Sequence, residues 1–332
     1  MLIESSELIS KPDVSVIIIT YNQEKTIAQT IESILMQNGD FTLELIIGED
    51  CSTDNTVNIC KAYQQNNSQQ IRLLSQDENQ GIVKNFIDTI RLCRGNYIAI
   101  CAGDDYWIDH QKIAKQLAFF LKNPDYGVVS TGGYKLLVEK NKLIEGIAPL
   151  NPLSHGQVFD LTWRGGVYAM PLSLLIRAEI LRKIDFDEFI KRNFSVEDVP
   201  LQAIMSKLTK YGHITDLCVV YRVYKNSQTF VNFNHPKYIY YHKGLVEIRR
   251  YLYELFPGEV EFSDEWAYDY MKYREFLQAV YQLDFQNAIS ALNSIIVPVK
   301  KSRRAQMFIR TKVGFYAFAL VKRYKLWKSQ QL

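Results

Sequence analysis

Histidine is scarce in this 332-residue chain: His110, His155, His213, His235 and His242 are the only five, and no two have metal-ligand spacing. The five cysteines, Cys51, Cys60, Cys93, Cys101 and Cys218, form no CxxC and no paired pattern, so neither a disulfide framework nor a zinc knuckle is expected. Four of them sit in apolar or helix-like runs, which reads as small, buried, reduced side chains in a reducing compartment. No GxSxG, HExxH, GxxxxGK(S/T) or GxGxxG is present. Their absence argues against nucleophile-elbow hydrolases, zinc peptidases, P-loop NTPases and dinucleotide enzymes.

Long apolar runs are missing as well. The start, MLIESSELISKPD, is mixed and acidic, unlike a secretory leader. The longest apolar run near the end, GFYAFALV (314–321), falls short of the roughly 18–20 residues that span a bilayer. A cytoplasmic chain is expected, with any membrane contact peripheral and at the inner face. Acidic residues stop at Asp284, whereas ten Lys or Arg follow between Lys300 and Lys328. The net charge of +3 is too small to imply nucleic acid.

What is present is the composition of a soluble globular protein, 47% hydrophobic and 23% charged. VSVIII (14–19), LELIIGE (43–49), IRLLS (71–75), YIAICA (97–102) and YGVVSTGG (126–133) are apolar runs expected to form buried strands. Amphipathic stretches at 24–37, 52–65, 82–93 and 110–123 alternate with them as helices. This rhythm predicts an α/β fold with a parallel, doubly wound sheet. Further on, short strands are expected at 172–177, 213–217 and 218–224, with a helix at 199–212 between. From His235 onward only helices are expected, at about 238–256, 264–294 (broken) and 302–327.

Ligands of such sheets bind beyond the carboxyl ends of the strands. Three of those ends are polar: TYN (20–22), EDCSTD (49–54) and GDD (103–105). Carboxylates such as Glu49 and Asp50 can accept hydrogen bonds from a base or from ribose hydroxyls, whereas Ser52, Thr53 and Asp54 read as caps of the next helix. Asp104 and Asp105 suit a hard dication, Mg²⁺ or Mn²⁺, bridging to a diphosphate. The competing reading is a solvated turn. Glu197 and Asp198 precede a helix with Pro200 in its first turn, and on their own read equally as a helix start or as chemistry.

The segments DVSVIIITYNQEKTIAQTIESILMQ, LIIGEDCSTDNT, NQGIVKN, NYIAICAGDDYW, VEDVPLQ and YRVYKNS resemble, in order and spacing, inverting family-2 glycosyltransferases with the GT-A fold. The resemblance covers about residues 13–226 and implies a Rossmann-like α/β fold with a mixed, mostly parallel sheet flanked by helices, followed by a C-terminal helical extension. It implies a nucleotide-sugar donor with Thr20, Tyr21, Asn22 and Glu24 lining the nucleoside pocket and Glu49 and Asp50 on base and ribose. Lys84 and Asn85 would close the diphosphate side, Asp104 and Asp105 would stand for the metal-binding DxD motif, with Asp104 as ligand, and Asp198 would be the catalytic base. Two positions depart from the family: Ala102 replaces the first acid of the motif, and Val223 and Tyr224 follow Arg222 where relatives carry a histidine. Either Asp104, Asp105 and the diphosphate hold the cation alone, or a cation such as Arg222 or Lys225 shares its role.

The expected organisation is an N-terminal tail (1–12), a catalytic domain (13–226) with nucleotide-binding (13–133) and acceptor (134–226) halves, and a basic helical region (235–332). The resemblance implies transfer of a sugar to a hydroxyl of a glycan or lipid-linked glycan acceptor in surface polysaccharide assembly. Basic clusters and aromatics in 298–328 read either as a membrane-interface helix or as a helix packed on the domain with a solvated basic face. The alternative function is a catalytically silent nucleotide-sugar or glycan-binding module. A nucleotidyltransferase is disfavoured, because TYNQEKT stands where its Gly-rich basic loop belongs.

Overall fold

The computed structural model describes residues 1–8, 11–146, 159, 169–224, 237–296 and 311–331. The chain divides into two compact units, Met1–Arg192 with Val196–Val223, and Asn193–Ser195 with Tyr224–Leu332. All five cysteines are free thiols, with Cys60, Cys101 and Cys218 buried and Cys51 and Cys93 half-buried. Among the described residues no helix is long and apolar enough to cross a membrane.

The first unit is built on one ten-stranded sheet. Strands β2 (Val14–Thr20), β3 (Leu43–Glu49), β4 (Ile71–Ser75) and β5 (Tyr97–Ala102) run parallel. Their continuous apolar runs reflect burial on both sides of the sheet: Val16, Ile17, Ile18, Leu45, Ile46 and Ile47 are fully enclosed. Between them run α1 (Ile27–Leu35), α2 (Thr56–Asn66) and α3 (Ile82–Ile90), and α1 turns Ile27, Ile31 and Ile34 into the core. A two-residue strand, β1 (Leu2–Ile3), pairs antiparallel with β4.

Beyond β5 the sheet becomes mixed. Strand β6 (Tyr106–Trp107) and helix α4 (Lys112–Lys122) lead to β7 (Tyr126–Leu137), followed by β8 (Lys142–Glu145) and β9 (Leu175–Arg177). Short helices α5 (Ala178–Leu181) and α6 (Phe186–Lys191), then α7 (Asp198–Leu208), precede β10 (Lys210–Val223). Strand β9 lies antiparallel between β5 and β7, while β7 and β10 are parallel. The separate strands expected at 213–217 and 218–224 are one strand, β10. Its register shifts between Ile214 and Leu217, so polar Thr215 and Asp216 interrupt the apolar pattern without ending the strand. The stretch expected as a strand from 172 begins instead with a 3₁₀ turn, Pro171–Ser173.

An acidic side chain of the central sheet lies wholly inside this unit. Glu44 of β3 accepts from the Ser15 hydroxyl (2.6 Å), the Arg94 N–H (2.8 Å) and the Arg94 guanidinium (2.7 and 2.9 Å). Arg72 stands 3.6 Å away. Enough donors surround the carboxylate to offset its loss of water.

The second unit contains helices α8 (Tyr238–Leu255), α9 (Asp264–Gln282), α10 (Phe285–Asn293) and α11 (Lys312–Gln331). The break expected within 264–294 falls at Leu283, which adopts φ 61°, and at Asp284, whose carboxylate caps α10 by accepting from the Asn287 N–H (3.1 Å). Phe276, Val280, Ala288, Leu292, Phe315 and Ala319 form its core. Residues 193–195 belong here as well: Phe194 packs on Tyr251, and Ser195 donates to the Tyr241 carbonyl (2.9 Å). The part of the expected 302–327 helix before residue 311 lies outside the described residues, as does Lys225.

Candidate active site

Three strands finish level with one another. In the sheet register Thr20 of β2 faces Glu49 of β3, and Ile19 faces Ala102 of β5. Two backbone bonds carry the alignment past the strand ends: Asp50 N–H donates to the Thr20 carbonyl (3.1 Å) and Gly103 N–H to the Ile19 carbonyl (3.0 Å). The polar turns at 20–22, 49–50 and 103–105 therefore share one edge, although α1 and β3 separate the first from the second along the chain, and α2, β4, α3 and β5 the second from the third.

The first turn is fixed by an unusual backbone. Asn22 is left-handed, with φ 54°, a conformation its short polar side chain tolerates. Its side-chain oxygen accepts from the Thr53 N–H (2.7 Å), and its own N–H donates to the Ser52 hydroxyl (2.9 Å). The buried Thr20 hydroxyl donates to Gln23 Oε1 (2.7 Å). The Tyr21 side chain is 44% exposed, with area available to a planar ligand. Glu24 accepts from the Asn55 N–H (3.0 Å) and so serves the start of α2.

At the second turn Glu49 is buried and accepts from the Ser52 N–H (2.7 Å). Asp50 accepts from two successive amides, Gln80 (2.7 Å) and Gly81 (2.9 Å). Burial pushes the Asp50 carboxyl above its usual value, and those two amides work against the rise. Lys84 forms a 2.5 Å ion pair with Asp88 one turn along α3. Asn85 is fully buried and donates to the Gly48 carbonyl (2.9 Å), while its own side-chain oxygen is buried without a partner. Close approach requires the glycine, because a Cβ on Gly48 would stand 2.0 Å from the Thr89 hydroxyl.

The third turn holds two adjacent carboxylates in different settings. Asp105 is buried and accepts from the Arg222 N–H of β10 (2.8 Å), while its carbonyl accepts from the Thr30 hydroxyl (2.6 Å). Burial, with the neighbouring Asp104 charge, raises its carboxyl well above the ordinary range. Asp104 is also raised by burial, with Arg222 and a hydrogen bond to Gln23 opposing. The Arg222 guanidinium donates to the Asp104 carbonyl and to Gln29 Oε1, and stacks 4.5 Å over the Tyr106 ring.

This donor set fits a hard dication in one way only. Among the described residues no group of three His, Cys, Asp or Glu can cage a metal. With Asp105 Oδ1 engaged by β10, Asp104 is the carboxylate that such an ion would take first, its shell completed by phosphate oxygens and water.

The fourth feature is a small pocket lined by Phe86, Ile100, Pro171, Leu174, Leu201, Gln202, Glu197 and Asp198. Ile100 belongs to β5, two residues before Ala102, so the pocket adjoins the strand that ends at the acidic turn. Burial pushes the Asp198 carboxyl up to about 6, with the Val199 N–H opposing, and drives Glu197, beside the Asp198 charge, up to about 8. Glu197 Oε2 is buried with no hydrogen-bond partner.

The wall formed by Pro171 and Leu174 is braced from the acidic turn. Trp107 Nε1 donates to the Leu172 carbonyl (3.1 Å), and Gln116 Nε2 to the Ser173 carbonyl (2.9 Å). Lys112, wholly buried, bridges the two braces: its ammonium is 3.0 Å from Gln116 Oε1 and 4.0 Å from the Trp107 ring centroid. Sequence reasoning gave no weight to Gln23, Lys112 or Gln116. The polar spacing i, i+4 of Lys112 and Gln116 on an otherwise apolar helix face was the one available signal for the latter pair.

Comparison with known proteins agrees with this geometry. The chain is 40% identical over 123 residues to the putative glycosyltransferase EpsE of Bacillus subtilis, covering 37% of this chain and 44% of EpsE. It is 33% identical over 129 residues to the putative teichuronic acid biosynthesis glycosyltransferase TuaG of the same organism, 39% of this chain and 49% of TuaG. The matched stretches span 44% and 49% of the length of these two relatives. The fold is shared with S. aureus TarS in complex with UDP-GlcNAc (TM-score 0.60, 17% identity, 95% of this chain and 92% of that chain). It is also shared with the mannosyltransferase PcManGT from Pyrobaculum calidifontis in complex with GDP-Man and Mn²⁺ (TM-score 0.52, 16% identity, 97% and 84%). Residues 15–182, half of the chain, match the model of glycosyl transferase family 2. With its strand-end turns and mixed sheet arranged as described, this GT-A chain belongs to glycosyl transferase family 2.

Proposed function

We propose that this glycosyltransferase works by inversion, moving a sugar from a nucleotide-diphosphate-sugar to a hydroxyl of a glycan or lipid-linked glycan in surface polysaccharide assembly. Asp198 carries the reading. It is a carboxyl group pushed up to about 6 in a pocket beside β5, apart from the acids at the strand ends, which is where a general base would be kept. The name of TuaG supports a polysaccharide acceptor, and the donors bound by TarS and PcManGT support a nucleotide sugar.

In this mechanism Thr20, Tyr21 and Asn22 receive the nucleoside, and Glu49 and Asp50 accept from base and ribose. The Asp198 carboxylate takes the proton from the acceptor hydroxyl as the hydroxyl oxygen bonds to sugar C1. The bond from C1 to the diphosphate oxygen breaks on the opposite face, so one displacement inverts the anomeric centre. Lys84 serves the diphosphate only by leaving Asp88, and Asn85 acts from beneath β3.

Replacement of Asp198 by Asn tests the proposal. Transfer should fall by about 10²–10⁴-fold, the worth of a positioned general base, while nucleotide-sugar affinity is retained. Near wild-type turnover in that variant would remove Asp198 from the role. Absence of both transfer and donor hydrolysis in the wild-type chain, across a panel of nucleotide sugars, would favour the silent binding module.

A further inference from the structure

Helix α11 has two apolar sides. Phe315 and Ala319 are fully buried and Phe318 packs beside them on the core of the second unit. A step of 100° per residue puts Tyr316, Ala317, Leu320 and Val321 on the opposite side. All four are exposed, Leu320 by 66% and Val321 by 53%. A helix that merely packs on its own domain turns a polar face to water. This one does not, so an ordinary solvated basic face does not describe it.

The charge carried by this part of the chain has one sign. Lys312 is exposed on the helix, as is Arg323, whose guanidinium donates to the Tyr281 carbonyl. The sequence from Phe285 to Leu332 contains ten Lys or Arg and no Asp or Glu. A protein partner of mixed charge gives no reason for such purity. A surface that is apolar beneath and anionic above does, since exposed Leu, Val and Tyr enter the acyl boundary while flanking cations meet headgroups.

We infer that the outward face of α11, through Tyr316, Leu320 and Val321, is a docking surface for an anionic lipid membrane. The contact is peripheral, because the helix is already anchored in its unit by Phe315 and Ala319. It is independent of the catalytic reading, since it rests on no residue of the strand-end turns.

Co-sedimentation of the full chain with vesicles of phosphatidylcholine alone, or with about a third phosphatidylglycerol, tests it at low and at physiological salt. The expected result is binding to the anionic vesicles, weakened by salt as screening requires. Leu320→Glu combined with Val321→Glu should reduce bound protein by ~10-fold or more, the scale of withdrawing exposed aliphatic side chains from an apolar phase. Because both positions are exposed, circular dichroism and melting temperature should be unchanged, which separates loss of docking from loss of fold. Failure to bind anionic vesicles at low salt overturns the inference. Equal binding by the double variant overturns it too, as does a wild-type dimer in sedimentation velocity that the double variant dissolves, which would make a second copy the occupant.

Discussion

The carboxylate of Asp105 accepts the backbone N–H of Arg222 at 2.8 Å, across 117 positions of sequence. It joins the acidic turn after β5 to the end of β10. Asp105→Ala leaves that buried N–H unpaired and should destabilise the chain by about 1–3 kcal/mol in denaturant melts. Asp105→Asn retains an acceptor oxygen and should cost clearly less. Equal losses in the two variants would show that the bond is not what matters there.

Asp104 is expected to act differently. Asp104→Ala should weaken nucleotide-diphosphate binding in the presence of Mn²⁺ and abolish the difference between titrations with and without the ion. Calorimetry of both proteins checks this. A Mn²⁺ effect of unchanged size would locate the cation elsewhere.

The Glu197–Asp198 pair should give the protein two pH-dependent steps, one in transfer rate and one in stability. A base must be ionised, so transfer should rise with pH through about 6, the value to which burial pushes Asp198. Glu197 titrates later, near 8, having been raised from an ordinary 4.5. The folded chain therefore keeps a proton there that the unfolded chain loses. Stability should decline as pH rises from about 4.5 through about 8. In Glu197→Gln that decline should flatten, while the limb near 6 in the rate profile remains. A rate profile that loses its lower limb in this variant would reassign the base.

Lys112 works with the opposite sign. Burial lowers its ammonium from 10.5 to about 7, with Cys218, Cys101 and Asp109 facing it. Between those values the unfolded chain binds the extra proton, so this group makes stability rise with pH over that window. Lys112→Met, similar in shape and uncharged, should remove that rise. Melting temperatures from pH 6.5 to 10 provide the measurement, and an unaltered slope would refute the assignment.

Glu44 is the clearest stability residue. With the Ser15 hydroxyl, the Arg94 N–H and the half-buried Arg94 guanidinium directed at it, Glu44→Ala leaves enclosed donors without their acceptor and should cost about 1–3 kcal/mol. A loss under 1 kcal/mol would mean that water reaches Arg94 freely.

Much of this architecture was legible in the sequence because the central strands are enclosed on both sides and so read as uninterrupted β-branched runs. The polar turns were legible for the converse reason: Glu49, Asp50, Asp104 and Asp105 follow buried residues at once, with no gradient between. The braces were not. A two-residue strand such as Tyr106–Trp107 carries no periodicity, and the 44th residue looks like an outward-facing acid until Arg94 is folded onto it. Asn85 illustrates the limit most sharply. Its place in the motif suggests a phosphate contact, yet its amide lies against Gly48, and only the absent side chain at that glycine makes room for it.

The brief passage of residues 193–195 through the helical unit has a consequence for dissecting the protein. A chain cut after Val223 would keep every strand of the sheet, yet Phe194 would lose Tyr251 and Ser195 would lose the Tyr241 carbonyl, immediately ahead of Glu197 and Asp198. The two units are thus not interchangeable modules: exchange of the helices with those of a relative must bring along a matched three-residue graft on the far side of α7.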